Sequence, residues 1–426
     1  MRRTFLAALA FSLTTAVGVL ADGMLDPSFG NGGLVVTNFP GIVTVDDAVS
    51  LVVLPDGRAV AAGSSNSIFD DDVGMAAARY LSSGALDASF GGDGMARVSC
   101  PPGFGFVGEA GKVLLQPDGR LVLIGYCTPG PVFWLVRLNT DGSFDPSFGT
   151  GGHVTTPFAS GAWGNSGVLQ PDGRIVAVGV YGSVHTGAAR YNTDGSLDST
   201  FGTGGTLTLI FPQGFLPRDV VLQPDGKLVI GGTFGQADFG LVRLLGNGAL
   251  DSSFDGDGLA TANFGGTETG DSLILLPDGR LVLGGLHNAD FGLVRFLSDG
   301  SVDATFGTGG LATASNGGPV TPGEALVLPD GKLVIAGSTN LAGAPRDFLL
   351  ARFLPEGALD TSFGTAGFLR TDFAASEDSC FAVAVAGPDL ILTAGAFEGG
   401  VPFTHDFALA RYIASTPVEL LHLTVD

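Results

Sequence analysis

Val221-Leu222-Gln223-Pro224-Asp225-Gly226-Lys227-Leu228-Val229-Ile230 reads as a β-hairpin. Proline presets the first turn position, Asp suits the second, and Gly takes the left-handed conformation that closes the turn. Apolar residues on either side then run as two antiparallel strands. The Pro-Asp-Gly-Lys/Arg phrase recurs at Pro55, Pro117, Pro171, Pro224, Pro277 and Pro329, with a degraded copy at Gly387-Pro388-Asp389-Leu390. An apolar run ending in Arg follows each turn glycine at an interval of 16 to 22 residues in the first six copies. A second phrase, Leu-Asp-x-Ser-Phe-Gly with small variations, places its Asp at 26, 87, 145, 198, 251, 303 and 360, so the period is 52 to 61 residues. A period of that length built from short strands marks a propeller or a solenoid.

Runs such as Leu121–Ile124, Leu281–Leu283 and Leu333–Ile335 are continuously apolar, as in strands covered on both faces. Each repeat supplies strands a, b, c and d. The expected fold is all-β: a seven-bladed β-propeller of four-stranded blades, in which every sheet packs between two neighbours. The phase of the repeat adds a constraint. A d strand (Leu25 to about Phe39) comes first, and strands a, b and c (about Phe381 to Tyr412) come last. The N-terminal strand is therefore expected to join the C-terminal blade and close the ring, which removes exposed edges. An open solenoid, the alternative, gives no reason for this phase. The expected divisions are a signal peptide at 1–21, the propeller at 22–414 and a tail at 415–426.

These phrases, with the Leu-Val-Arg and Leu-Ala-Arg strand ends at Leu241–Arg243 and Leu409–Arg411, make the chain resemble the delta-60 repeat β-propeller family of exported bacterial proteins. The resemblance implies a propeller and carries no settled activity. The Pro-Asp-Gly hairpin is also similar, more generically, to that of NHL-type propellers, which are mostly binding scaffolds.

With 69 Gly, 23 Pro and 45% hydrophobic residues, the composition suits short strands joined by tight turns around a filled core. The net charge of −22 would repel nucleic acid and anionic membranes, so neither is an expected partner. Arg2, Arg3 and the apolar stretch Phe5 to Leu20, followed by Val19-Leu20-Ala21, read as an export leader cut before Asp22. The order Arg2-Arg3-Thr4-Phe5-Leu6 leaves both the general and the twin-arginine routes open. No later stretch reaches the roughly 18 apolar residues of a membrane helix. The expected location is secreted, periplasmic or at the cell surface of a bacterium.

Candidate residues fall into four groups. The pairs Arg79/Asp87, Arg137/Asp145, Arg190/Asp198, Arg243/Asp251, Arg295/Asp303 and Arg352/Asp360 keep a spacing of eight, and the seventh Arg, Arg411, would meet Asp26. Hairpin-spaced guanidinium and carboxylate predict structural ion pairs. Near the start of each strand a stand Asp47, Glu109, Asp219, Asp271, Glu324 and Asp378, with Asn165 in the remaining repeat. If strand a is innermost, these ring the mouth of the channel and offer oxygen ligands for Ca²⁺; solvation of loop ends is the plainer alternative. Asp70-Asp71-Asp72 reads as a solvated acidic loop. Cys100 and Cys127 are expected on one face of one blade, close enough for a disulfide, leaving Cys380 free.

The five histidines share neither a repeat position nor a metal-ligand spacing, and Gly149-Thr150-Gly151-Gly152 is a turn rather than a phosphate cradle. The a–b and c–d turns are uniform, whereas the b–c and d–a loops on the opposite face vary, and variable loops on a rigid scaffold usually carry binding. The preferred reading is a non-enzymatic binding or structural scaffold with a protein, glycan or small-molecule ligand on the b–c/d–a face. The alternative is a metal-dependent propeller hydrolase or lyase acting at the channel mouth. Phe104, Phe106 and Trp163 are the aromatics a glycan site would use.

Overall fold

The structure, a computed structural model, describes residues 22–40, 44–67, 73–101, 108–235, 237–341, 343–374, 377–399 and 404–414. The expected leader and tail, Asp70–Asp72, Phe104, Phe106 and His422 lie outside these residues, as does the side chain of Glu109. The described chain is all-β and propeller-like. No helix in it is long and apolar enough to cross a membrane.

The strands run β1 (Leu34–Thr37), β2 (Thr44–Val53), β3 (Ala59–Ser67), β4 (Val73–Tyr80) and β5 (Met95–Ser99). Next come β6 (Gly108–Leu115), β7 (Leu121–Cys127), β8 (Val132–Leu138) and β9 (His153–Thr156). They are followed by β10 (Ala162–Leu169), β11 (Ile175–Tyr181), β12 (His185–Tyr191) and β13 (Thr206–Leu209). The middle of the chain holds β14 (Phe215–Leu222), β15 (Leu228–Phe234), β16 (Asp238–Leu244) and β17 (Leu259–Ala262). Then come β18 (Glu268–Leu275), β19 (Leu281–His287), β20 (Asp290–Phe296) and β21 (Leu311–Ala314). The last are β22 (Val320–Val327), β23 (Leu333–Asn340), β24 (Arg346–Phe353), β25 (Phe368–Thr371), β26 (Asp378–Gly387), β27 (Leu390–Glu398) and β28 (His405–Ile413).

Five four-stranded antiparallel sheets result: β6–β9, β10–β13, β14–β17, β18–β21 and β22–β25. The remaining strands form an eight-stranded sheet in the order β26-β27-β28-β2-β3-β4-β5, with β1 also on β28. Within it β2 meets β28 at one parallel bridge, Val45 with His405. β1 lies antiparallel to β28 from Leu34↔Ala410 to Thr37↔Phe407.

Burial follows from the stacking. First strands alternate, as in β10, whereas the third strand β8 is buried at every residue because both faces of its sheet are covered. First strands of successive sheets lie side by side from β2 to β26, and β26 lies beside β2. Each of the six Pro-Asp-Gly turns closes through its glycine at φ of +84° to +86° (Gly57, Gly119, Gly173, Gly226, Gly279 and Gly331), a conformation that a side chain would strain.

Every first strand also breaks register at one equivalent place. The unpaired residues are Val49, Gly111, Asn165, Arg218, Asp271, Gly323 with Glu324, and Phe381. A β-bulge bends its strand and re-aims the extra residue. All of these residues line one cavity of about 140 Å³.

Candidate functional site

The Arg and Asp of each repeat meet. Nε of Arg79, Arg137, Arg190, Arg243, Arg295 and Arg352 lies 2.7–2.8 Å from Oδ2 of Asp87, Asp145, Asp198, Asp251, Asp303 and Asp360. Arg411 meets Asp26 at 2.8 Å. The backbone sets this up, because the Asp amide donates to the Arg carbonyl in every repeat, as Asp198 does to Arg190. Each guanidinium also stands 4.3–4.9 Å over the ring of the Phe in the same phrase, from Phe29 under Arg411 to Phe363 under Arg352.

Sequence spacing alone did not show where these arginines lead. Nη1 of each donates to a backbone carbonyl beyond its own repeat: Arg79 to Thr140, Arg137 to Thr193, Arg190 to Gly246, Arg243 to Ser298, Arg295 to Pro355, Arg352 to Ala414 and Arg411 to Ser82. Each bond joins one set of strands to the next. The Lys or Arg after Pro-Asp-Gly has a role as well. Arg58, Arg120, Arg174, Lys227, Arg280 and Lys332 each approach the paired Asp within 2.9–3.4 Å as a second cation. Among the described residues Asp26 has no such cation, since the degraded turn carries Leu390 at that place.

All seven of these carboxyls are held below the ordinary range. At Asp87 and Asp198 the hydroxyl of Ser89 or Thr200 is the largest influence. At the other five, burial is largest and opposes, but the hydroxyl and amide two residues on and the nearby cations outweigh it; Asp303 and Asp360 come to about 2. A carboxyl depressed by folding adds stability above its unfolded value of about 3.9, and that stability is lost as pH falls through the folded value. The thermal midpoint should therefore fall steeply between about pH 4 and pH 2. Calorimetry across that range checks this, and a flat midpoint would refute it.

The cavity behind the bulges holds the other charged group. Lys112 Nζ lies 2.5 Å from Glu324 Oε1. Burial disfavours the ammonium, yet Glu324 and Asp219 hold Lys112 protonated above its usual range. Glu324 Oε2 accepts from the Val383 amide at 3.3 Å. Asp219 accepts from Ser166 Oγ at 2.8 Å, from its neighbour Val220 N at 2.9 Å and from Leu273 N at 3.0 Å. Asp271 takes a bond from Thr269 Oγ1 and faces Arg218 at 3.9 Å, and burial raises its carboxyl. Asn165 donates to the Pro217 carbonyl.

Three of the six residues expected around a channel mouth, Asp219, Asp271 and Glu324, thus line one cavity, while Asp47 and Asp378 do not. Asp47 Oδ1 sits 2.9 Å from His405 Nδ1, which keeps the imidazole proton above its ordinary range. Asp378 accepts from the Phe373 amide at 2.8 Å. The bulge is the cause: the cavity is lined by bulged residues and some that directly follow them, whereas Asp47 and Asp378 stand two and three positions earlier in paired strand. Glu109, on β6, also precedes its bulge by two. Cys100 and Cys127 are joined in a disulfide, and Cys380 is a buried free thiol.

Comparison with known proteins adds a match to a family model. Residues 54–90, 116–148, 170–201, 223–254, 276–306 and 328–363 match the family model described as "Domain of unknown function (DUF5122) beta-propeller". No curated protein matches the sequence. Among solved structures, YCF48 bound to D1 peptide is similar at 12% identity and a TM-score of 0.49, over 95% of this chain and 100% of that one. A protein of unknown function from Dyadobacter fermentans is 14% identical at a TM-score of 0.43, over 89% of this chain and 99% of that one. The PQQ-bound aldose sugar dehydrogenase from Streptomyces coelicolor is 15% identical at 0.41, over 70% and 93%. At these values none bears on what this chain binds. The six repeat matches support a β-propeller repeat family for this chain.

Proposed function

We propose that this protein is an exported, non-enzymatic scaffold: a seven-bladed propeller of the delta-60 repeat kind that presents its b–c and d–a loops to a ligand. Seven blades are supported by counting β2–β5 and β26–β28 with β1 as one blade each beside the five separate sheets. Ring closure is supported by β1 on β28 and by the Arg411–Asp26 pair.

One observation carries the scaffold reading. The carboxylates around the axial cavity are engaged by protein donors: Asp219 by Ser166, Val220 and Leu273, and Glu324 by Lys112 and Val383. Groups used this way tie first strands to one another instead of presenting open ligand positions. The test is a turnover screen of the purified chain with ester, phosphoester and uronate-polysaccharide substrates, with and without Ca²⁺ or Zn²⁺. No turnover above buffer is expected. Turnover that disappears in a D219N/E324Q variant would overturn the scaffold reading in favour of a hydrolase or lyase centred on the cavity.

A further inference from the structure

The repeats serve as controls for one another, and at one place they differ in charge. Two sheets end the pairing of their outer two strands with an acid facing an amide. Beyond Phe239↔Ala262, Asn263 Nδ2 donates to Asp238 at 2.7 Å; beyond Thr37↔Phe407, Asn38 Nδ2 donates to Asp406 at 2.6 Å. The equivalent residues beyond Phe348↔Thr371 are Asp347 and Asp372, two acids. Asp378, at the start of β26, completes a group in which an oxygen of each residue lies within 4.8 Å of the others.

We propose that Asp347, Asp372 and Asp378 form a Ca²⁺ site that fastens the connection after β25 to β24 and β26. A second observation, separate from the clustering, points to a missing partner. Asp347 is only 1% exposed, and its buried Oδ1 has no hydrogen-bond partner among the described residues, while Arg370 engages Oδ2. A buried carboxylate oxygen without a donor is costly. The group is rich in negative charge: it holds three carboxylates, and Arg370 engages that of Asp347. Glu377 and Arg346, 3.9 Å apart, offset each other nearby. The donors are all oxygen, which suits a hard cation rather than zinc or copper. With Ca–O distances of about 2.3–2.6 Å, oxygens this far apart can reach one ion. Asp372 is exposed, so water can complete the shell on that side.

The test uses the full chain freed of metal by dialysis against EDTA, with CaCl2 and MgCl2 as probes in calorimetry and thermal melts. One equivalent of Ca²⁺ should bind, with a dissociation constant of about 0.1–1 mM, and raise the melting midpoint. D372N recreates the Asp–Asn pairing that two other sheets already use. It should keep the EDTA midpoint at or above that of the parent, weaken Ca²⁺ at least about tenfold and abolish the shift. Absence of saturable Ca²⁺ binding up to about 10 mM, or D372N binding Ca²⁺ like the parent, overturns the proposal. An equal response to Mg²⁺ that survives in D372N would be general screening of an acidic surface and would overturn it too. D219N/E324Q should bind Ca²⁺ as the parent does, which keeps this outcome separate from that of the axial cavity.

Discussion

Asp26→Ala should cost about 3–5 kcal/mol of folding stability, the range for removing one partner of a buried ion pair. Both Asp26 and Arg411 are buried, so the substitution leaves a guanidinium with its charge uncompensated. The same change at Asp198 would leave two arginines, 190 and 174, but each repeat of that type keeps its strands connected through the chain. Asp26 and Arg411 are 385 residues apart, and the same two segments are otherwise joined by the four-residue ladder of β1, a few turn bonds and side-chain contacts such as Asn38 with Asp406. Hydrogen exchange should therefore show the amides of Leu34–Thr37 losing protection first in the variant. Denaturant titration gives the magnitude. An unchanged unfolding midpoint, or exchange that rises evenly over the whole chain, would refute the expectation.

Trp134→Ala should cost a similar 3–5 kcal/mol, through a cavity rather than a charge. Trp134 is fully buried in the middle of β8. Its position in the repeat is held elsewhere by Ala76, Gly187, Gly240, Gly292, Leu349 and Ala408. The indole belongs to a core cluster that sets it among Ala62 and Ala77 of β3 and β4 and larger residues such as Met75, Phe90 and Leu123. Close-packed interiors collapse little around a lost side chain, so the rest of the cluster would face a void. The indole N–H also donates to His153 Nδ1 at 3.3 Å, a bond lost with the ring. Trp163, the other tryptophan, is only half-buried, and its alanine variant should lose clearly less. A loss below about 1 kcal/mol in W134A would show that the sheets can close over the gap.

Much of the architecture was legible because turn chemistry is local. Pro-Asp-Gly needs only its own residues to form a hairpin, and Arg-to-Asp spacing within one hairpin is short enough to read directly. Asp26 and Arg411 were legible by phase, since the pattern lacked a partner at each end. The axial cavity was harder. A single unpaired residue such as Asn165 or Asp271 shifts which side chains face inward, and nothing in the composition of β10 or β18 announces it. Asp47 and Asp378 were misplaced for that reason. The bonds from arginine to the next repeat were invisible for another: their acceptors are main-chain carbonyls, which every residue has. Asp347 and Asp372 are far apart in sequence, and their pairing becomes apparent only when strand register is compared between sheets.

The same bonds have an evolutionary consequence. Thr140, Thr193, Gly246, Ser298, Pro355, Ala414 and Ser82 share nothing but a carbonyl, so mutation at an accepting position leaves the contact intact. Only the donor is under constraint. A repeat copied or exchanged within such a gene would bring its own arginine and find an acceptor ready in whatever neighbour it landed beside. Unit-by-unit duplication is thereby tolerated, and the accepting side chain is free to diverge.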